Sequence, residues 1–373
     1  VHAQLRVGHA QHAAHMPAGG PYRLALPERG ALNNLVFEPL DQREPGPDEV
    51  VIEVHATGLN FRDVLNVLGM YPGDPGPPGI ECAGVVTQVG AAVQQLRVGD
   101  AVVGLAGRSF DSLTVTPANF VARKPDSLSF AEAVTVPSAF LTAWHGLVTL
   151  ARLKPGERVL IHAAAGGVGL AAVQIALAQG AEIFATAGSP AKHAFLRALG
   201  VKHIFSSRTP DFFEPLMQET GGEGVDIVLN SLSDEFISIS FAALSPNGRF
   251  LEIGKRGIWT HEQAAAESPH ATYVPYDLGD VLRDDPNAIQ TMLCDLLAAM
   301  ESGKLAPLPL RAFPAEEIVE AFRYMAQAKH IGKVVVTHRP PAWRMAVRND
   351  GAYLVTGGLG GLGLKVAAWL AQE

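Results

Sequence analysis

The stretch "RVLIHAAAGGVGLAAVQIALAQ", Arg158 to Gln179, decides the reading of the fold. "RVLIHA" reads as a short apolar strand, Ala163 to Gly169 as a tight turn of small residues, and "VGLAAVQIALAQ" as a helix stopped near Gly180. The spacing Ala164-x-Gly166-x-x-Gly169 is that of a dinucleotide-binding turn with alanine in the first glycine's place. Small side chains there let backbone amides at the positive end of a helix approach a pyrophosphate. Ala164, Gly166, Gly167, Val168 and Gly169 are therefore candidate cofactor contacts.

Downstream the alternation continues. "AEIFAT", "KHIF", "VDIVLN" and "RFLEIG" read as strands, and "PAKHAFLRALG" as a helix capped by Ser189. Strands separated by such helices predict a parallel, doubly wound sheet. Upstream, from about Tyr22 to Ala143, short β-branched runs punctuated by Gly, Pro and Asp predict a small barrel or folded sheet. After Tyr273 to Asp277 the chain runs through two helical segments to "KVVVTH", a strand expected to rejoin the first domain. Residues 1–22 and the Pro-rich "RPPAWRMAVRND" read as linkers. The terminal "VTGGLGGLG" opens a second dinucleotide-type turn with too few residues after it to complete a crevice, so it is expected to begin a further domain.

Composition narrows the function classes. With 373 residues, 48% apolar and a net charge of -8, the chain predicts a two-domain globular protein with no basic field for nucleic acid. Cys82 and Cys294 are too few for a disulfide framework or a four-cysteine zinc lobe, and they fit a cytoplasmic setting. No uninterrupted apolar run of membrane-spanning length is expected. His9, His12 and His15 share a helical spacing, but no carboxylate or cysteine completes a metal site, so a solvated linker is the reading.

Cofactor identity is read at the end of the second strand of the series. An NAD site usually carries an acidic residue there for the ribose hydroxyls. Here stand Ala187, Gly188, Ser189 and Pro190. Ser189, Lys192 and Arg208 could instead surround a 2′-phosphate, which predicts NADPH.

"LNFRDVL", "GIECAGVV", "HAAAGGVGLAAVQIA", "LNSL" and "HIGKVVVT" together resemble the enoyl reductase domain of polyketide and fatty acid synthases, within the medium-chain dehydrogenase/reductase superfamily. The likeness covers roughly residues 23–338. It implies an α/β protein: a GroES-like, β-rich substrate domain (23–142 and 278–338) with an inserted Rossmann domain (143–277). A linker (339–350) and the truncated start of a ketoreductase domain (351–373) would follow. Zinc members of the superfamily carry a cysteine in the stretch matching Asn60 to Asp63 and a histidine where Ile80 precedes Glu81. Neither is present, which implies a zinc-independent enzyme.

The implied reaction is NADPH-dependent reduction of the 2,3 double bond of an enoyl thioester on acyl carrier protein, with hydride to the β-carbon and a proton to the α-carbon. The resemblance implies Lys255 and Asp277 as proton-donor candidates. It carries Thr142, Asn230 and Lys333 as cofactor contacts, and Asn60 and Phe61 as substrate contacts. Neighbouring synthase domains are implied partners, and a homodimer is left open. A free-standing quinone reductase shares the zinc-free site, and a non-catalytic scaffold domain shares the fold. The terminal glycines argue against the first, and the intact turn with Lys255 and Asp277 against the second.

Overall fold

Val159, Leu160 and Ile161 are fully buried, as a strand covered on both faces requires. The structure, a computed structural model, describes residues 14, 16, 17, 20–41, 43–338, 360, 364 and 365. His9, His12, His15, the expected linker 339–350 and all but three residues of 351–373 lie outside the described residues.

The first strands are β1 (Tyr22–Ala25), β2 (Val36–Pro39), β3 (Glu49–Leu59), β4 (Glu81–Val89), β5 (Ala101–Leu105), β6 (Leu113–Pro117) and β7 (Val121–Arg123). α1 (Phe61–Val67) follows β3, while α2 (Phe130–Ala133) and α3 (Pro137–Trp144) follow β7. Ser129 begins α2 with a capping box, its hydroxyl accepting from the Glu132 amide. The 21 residues from Phe130 to Leu150 are long and apolar enough to cross a membrane by length and composition, although Glu132, Ser138 and His145 interrupt the apolar run. Most of that stretch is buried inside the protein, so its apolar side chains are spent on the core.

The second set is β8 (Arg158–Ile161), β9 (Glu182–Ala187), β10 (His203–Ser206), β11 (Val225–Asn230), β12 (Leu244–Glu252) and β13 (Thr272–Pro275). These pair in parallel in the order β10-β9-β8-β11-β12-β13. The chain thus reverses direction across the sheet between β8 and β11, the switch point at which open α/β sheets take ligands. α4 (Gly167–Ala178) and α5 (Pro190–Ala198) cover it. Ser189 caps α5 with Pro190 in its first turn.

β14 (Leu310–Pro314) and β15 (Lys333–Thr337) then return to the first sheet, whose order is β14-β15-β3-β4-β5-β7 with β6 also on β3. β15 lies antiparallel to β3, Val334 opposite Leu59. Tyr22, assigned by sequence to the first linker, opens β1 and is buried, its hydroxyl bonded to His338 Nδ1 at 2.9 Å. Further back, the Ala14 amide donates to the Glu316 carbonyl at 2.9 Å.

Candidate active site

The turn after β8 is held by backbone contacts that exclude side chains. A Cβ on Gly169 would sit 2.5 Å from the Ala163 carbonyl oxygen and 2.6 Å from Ala164 Cα. Ala163 takes a left-handed φ of 48°, a conformation that costs a non-glycine residue roughly 1 kcal/mol. No side chain caps α4, so the amides of Gly167, Val168 and Gly169 in its first turn keep their positive end for a ligand. Gly166 forms a parallel bridge with Gly332, whose amide donates to Ala165 O at 2.9 Å. Gly332 has a φ of 74°, and any Cβ on it would strike Pro309 O, so this contact between the two sheets' domains requires glycine.

At the carboxyl end of β9 a cavity of about 120 Å³ is lined by Gly188, Ser189, Lys192, Arg208, Ala328 and Lys329. The structure thus brings Ser189, Lys192 and Arg208 together and adds Lys329, which local sequence did not single out. Arg208 reaches in because Gly188 has no side chain: a Cβ there would lie 2.8 Å from Arg208 Nε. Burial and the neighbouring Arg208 hold the Lys192 ammonium below its usual pKa. Beside this cavity His330 is pushed down to about 4 by burial and by Lys192 and Lys333, and its Nδ1 is buried with no partner among the described residues. The uncapped start of α4 suits a pyrophosphate, and the separate cavity with Lys192, Arg208 and Lys329 in its lining suits a further phosphate.

Lys255 and Asp277 meet beyond the same sheet edge. Glu252 of β12 is opposite Pro275 of β13, so the residues just past both strands come out side by side. Lys255 Nζ lies 2.5 Å from Asp277 Oδ2, with each side chain about 30% exposed. Asp277 also begins the helix Leu278–Asp284, accepting from the Gly279 amide at 2.6 Å. Burial alone would raise the Asp277 carboxyl, but the Lys255 and Gly279 bonds outweigh it and hold its pKa below the ordinary value.

Three of the residues expected to touch ligands, Asn60, Lys333 and Asn230, have polar groups engaged inside the protein. Asn60 spends its whole amide inside the protein. Oδ1 accepts from Lys333 Nζ at 2.8 Å and from Ser138 Oγ at 3.2 Å; Nδ2 donates to Glu81 Oε1 at 2.8 Å. It therefore has no polar group left for substrate. Lys333 Nζ is bonded to Glu81 Oε1 at 2.6 Å, with 4% and 0% of the two side chains exposed, so its ammonium is paired with a buried carboxylate. Asn230 donates to Leu232 O at 2.8 Å and to Glu252 Oε2 at 2.6 Å, and accepts from Leu232 N at 3.1 Å. Its side chain is wholly buried among these contacts. Thr142, on α3, has its carbonyl occupied by the Tyr276 hydroxyl at 3.0 Å. Phe61 opens α1 and is 54% exposed beside Arg62, which stacks over Tyr71 at 5.1 Å.

The remaining ligand capacity of Glu81 is also used: Oε2 accepts from the Ser138 amide at 2.8 Å. Sequence reasoning missed Glu81 with Lys333, Glu252, Tyr276 and Lys329. A helix-capping signal was readable for Asp277, but no local pattern pairs position 81 with 333.

Comparison with known proteins agrees with this geometry. Residues 46–146 match an alcohol dehydrogenase GroES-like domain, and residues 199–336 a zinc-binding dehydrogenase domain. The CurK enoyl reductase structure is 50% identical, with a TM-score of 0.82, covering 86% of this chain and 99% of that one. The CurF ER cyclopropanase from the curacin A biosynthetic pathway is 41% identical, with a TM-score of 0.82 and coverages of 86% and 99%. The spectinabilin polyketide synthase system protein NorB of Streptomyces orinoci is 45% identical over 360 residues, 95% of this chain but 16% of that protein. The chain thus spans about a sixth of that curated relative.

Proposed function

Because the chain belongs to the polyketide synthase enoyl reductases of the medium-chain dehydrogenase/reductase superfamily, we propose that it reduces the 2,3 double bond of an enoyl thioester carried on acyl carrier protein. The chain is an oxidoreductase, and the turn at Gly166 to Gly169 suits a nicotinamide cofactor. NADPH is the form proposed, on the strength of Ser189, Lys192, Arg208 and Lys329 around one cavity. Bound there, the reduced nicotinamide supplies a hydride for the β-carbon.

The observation that carries the reading is the Lys255–Asp277 pair at 2.5 Å, at the edge of the sheet that also bears the glycine turn. Addition at the β-carbon leaves negative charge on the thioester oxygen and α-carbon, and an ammonium in the crevice both offsets that charge and offers a proton. Asp277 aims the Lys255 ammonium through a charge-assisted hydrogen bond of defined direction. Neighbouring synthase domains supply the carrier-bound substrate in this reading.

The test is turnover of a 2-enoyl thioester by the purified chain with NADPH, following cofactor loss and the saturated thioester by mass spectrometry. Stoichiometric saturation is expected. Turnover of quinones with no thioester product would overturn the assignment.

A further inference from the structure

Glu252 ends β12 with its side chain 1% exposed, and the chemistry above gives it no task. Its two carboxylate oxygens are both engaged: Oε2 accepts from Asn230 Nδ2 at 2.6 Å and Oε1 from the Gly254 amide at 2.6 Å. Its backbone carbonyl accepts from the Tyr276 amide at 3.1 Å. One residue therefore grips the chain immediately before Lys255 with its side chain and immediately before Asp277 with its main chain. Gly254 must be glycine for this grip, because a Cβ would lie 2.6 Å from Glu252 Oε1.

We propose that Glu252 is the positioning residue of the Lys255–Asp277 pair, its ionised carboxylate pinning the Gly254 amide and with it the backbone that carries the Lys255 ammonium. The inference rests on the reductase reading. An ionised carboxylate accepts two strong bonds, whereas a protonated one turns an O–H toward one of its two donors, so proton uptake releases one 2.6 Å contact. The titratable groups facing Glu252 are Lys255 from its own loop, Tyr273 on β13 and Tyr276 just beyond, with neutral Asn230 from β11. Burial pushes the carboxyl up to about 7, despite the Asn230 and Gly254 bonds and the Lys255 charge, so the release falls near neutral pH.

Glu252→Gln in the full chain tests this. The new amide keeps the size but loses the charge, and its single oxygen can accept from only one of Asn230 Nδ2 and the Gly254 amide, so the charged grip on both is lost. The expected result is a kcat lowered about tenfold or more, an NADPH dissociation constant within about twofold of the parent, and loss of the acid limb near pH 7. Gly254→Ala, which pushes the carboxylate away without removing it, should lower kcat likewise and serves if the first variant does not fold. A parent-level kcat in either folded variant, or an acid limb unchanged in Glu252→Gln, overturns the proposal. A parent chain that reduces no enoyl thioester would sink the reductase reading instead. In that case acylation of Lys255 against pH still decides: a break near pH 7 that vanishes in Glu252→Gln supports positioning, and an identical profile overturns it.

Discussion

The Lys333 ammonium lies 2.6 Å from Glu81 Oε1 with both side chains almost wholly removed from water, 252 positions apart in sequence. The pair joins the first residues of β15 and β4, and Asn60 and the Ser138 amide complete its bonding. The Lys333 stem also runs close to Gly167 at the start of α4, so the pair sits directly under the dinucleotide turn.

Removing one partner leaves a buried charge uncompensated. Lys333→Met should cost about 3–5 kcal/mol in urea unfolding, and adding Glu81→Gln should restore most of that loss. A single variant as stable as the parent would mean that water reaches the pair.

Metal independence is expected from the same contacts. Both Glu81 oxygens are already taken, and Phe61 and Ile80 offer no ligand. Turnover is expected to persist after exhaustive chelation; stoichiometric zinc whose removal abolishes activity would contradict it.

For the cofactor, Lys192→Ala should weaken NADPH binding by about 1.5–3 kcal/mol and NADH binding far less, since only the former carries the phosphate. Lys329→Ala should act in the same direction with a smaller effect, because Lys329 is exposed. Titration calorimetry with both cofactors decides, and equal losses for the two would place the phosphate elsewhere.

In catalysis, Lys255→Met and Asp277→Asn should each slow saturation of the double bond, by up to about 10²–10⁴-fold for loss of a general acid. Because the two groups are bonded at 2.5 Å, the double variant should be scarcely slower than the worse single one. Fully multiplicative effects would mean independent roles.

The Glu252 carboxyl predicts a pH dependence of stability. Its pKa in the folded protein is about 7 against an ordinary 4.5, so the folded state holds this proton more tightly than the unfolded chain. The associated stability is complete below pH 4.5 and is lost as pH rises through 7, by about 3 kcal/mol. Unfolding free energies of the parent and Glu252→Gln should run together at low pH and separate as pH rises through that window, the parent falling while the neutral variant does not. Parallel curves would show that Glu252 does not titrate there.

Much of the architecture was legible locally. The strand, small-residue turn and helix from Arg158 to Gln179 specify a βα unit through apolar run, glycine spacing and helical period, all properties of neighbouring residues. The Ser189 cap and the absence of an acid after β9 were equally local, and the resemblance carried Lys255 and Asp277 by motif. Tertiary structure decided which groups remain available. Asn60, Asn230 and Lys333 look like ligand-binding residues as letters, yet strands from distant parts of the chain bring buried partners that engage their polar groups. Glu252 became a carboxyl with an unusual proton affinity only when β11 and β13 closed over it. Backbone preference acts over a few residues, whereas desolvation and charge pairing depend on three-dimensional distance, so the βα unit could be read from the chain and the fate of each polar side chain only from its packing.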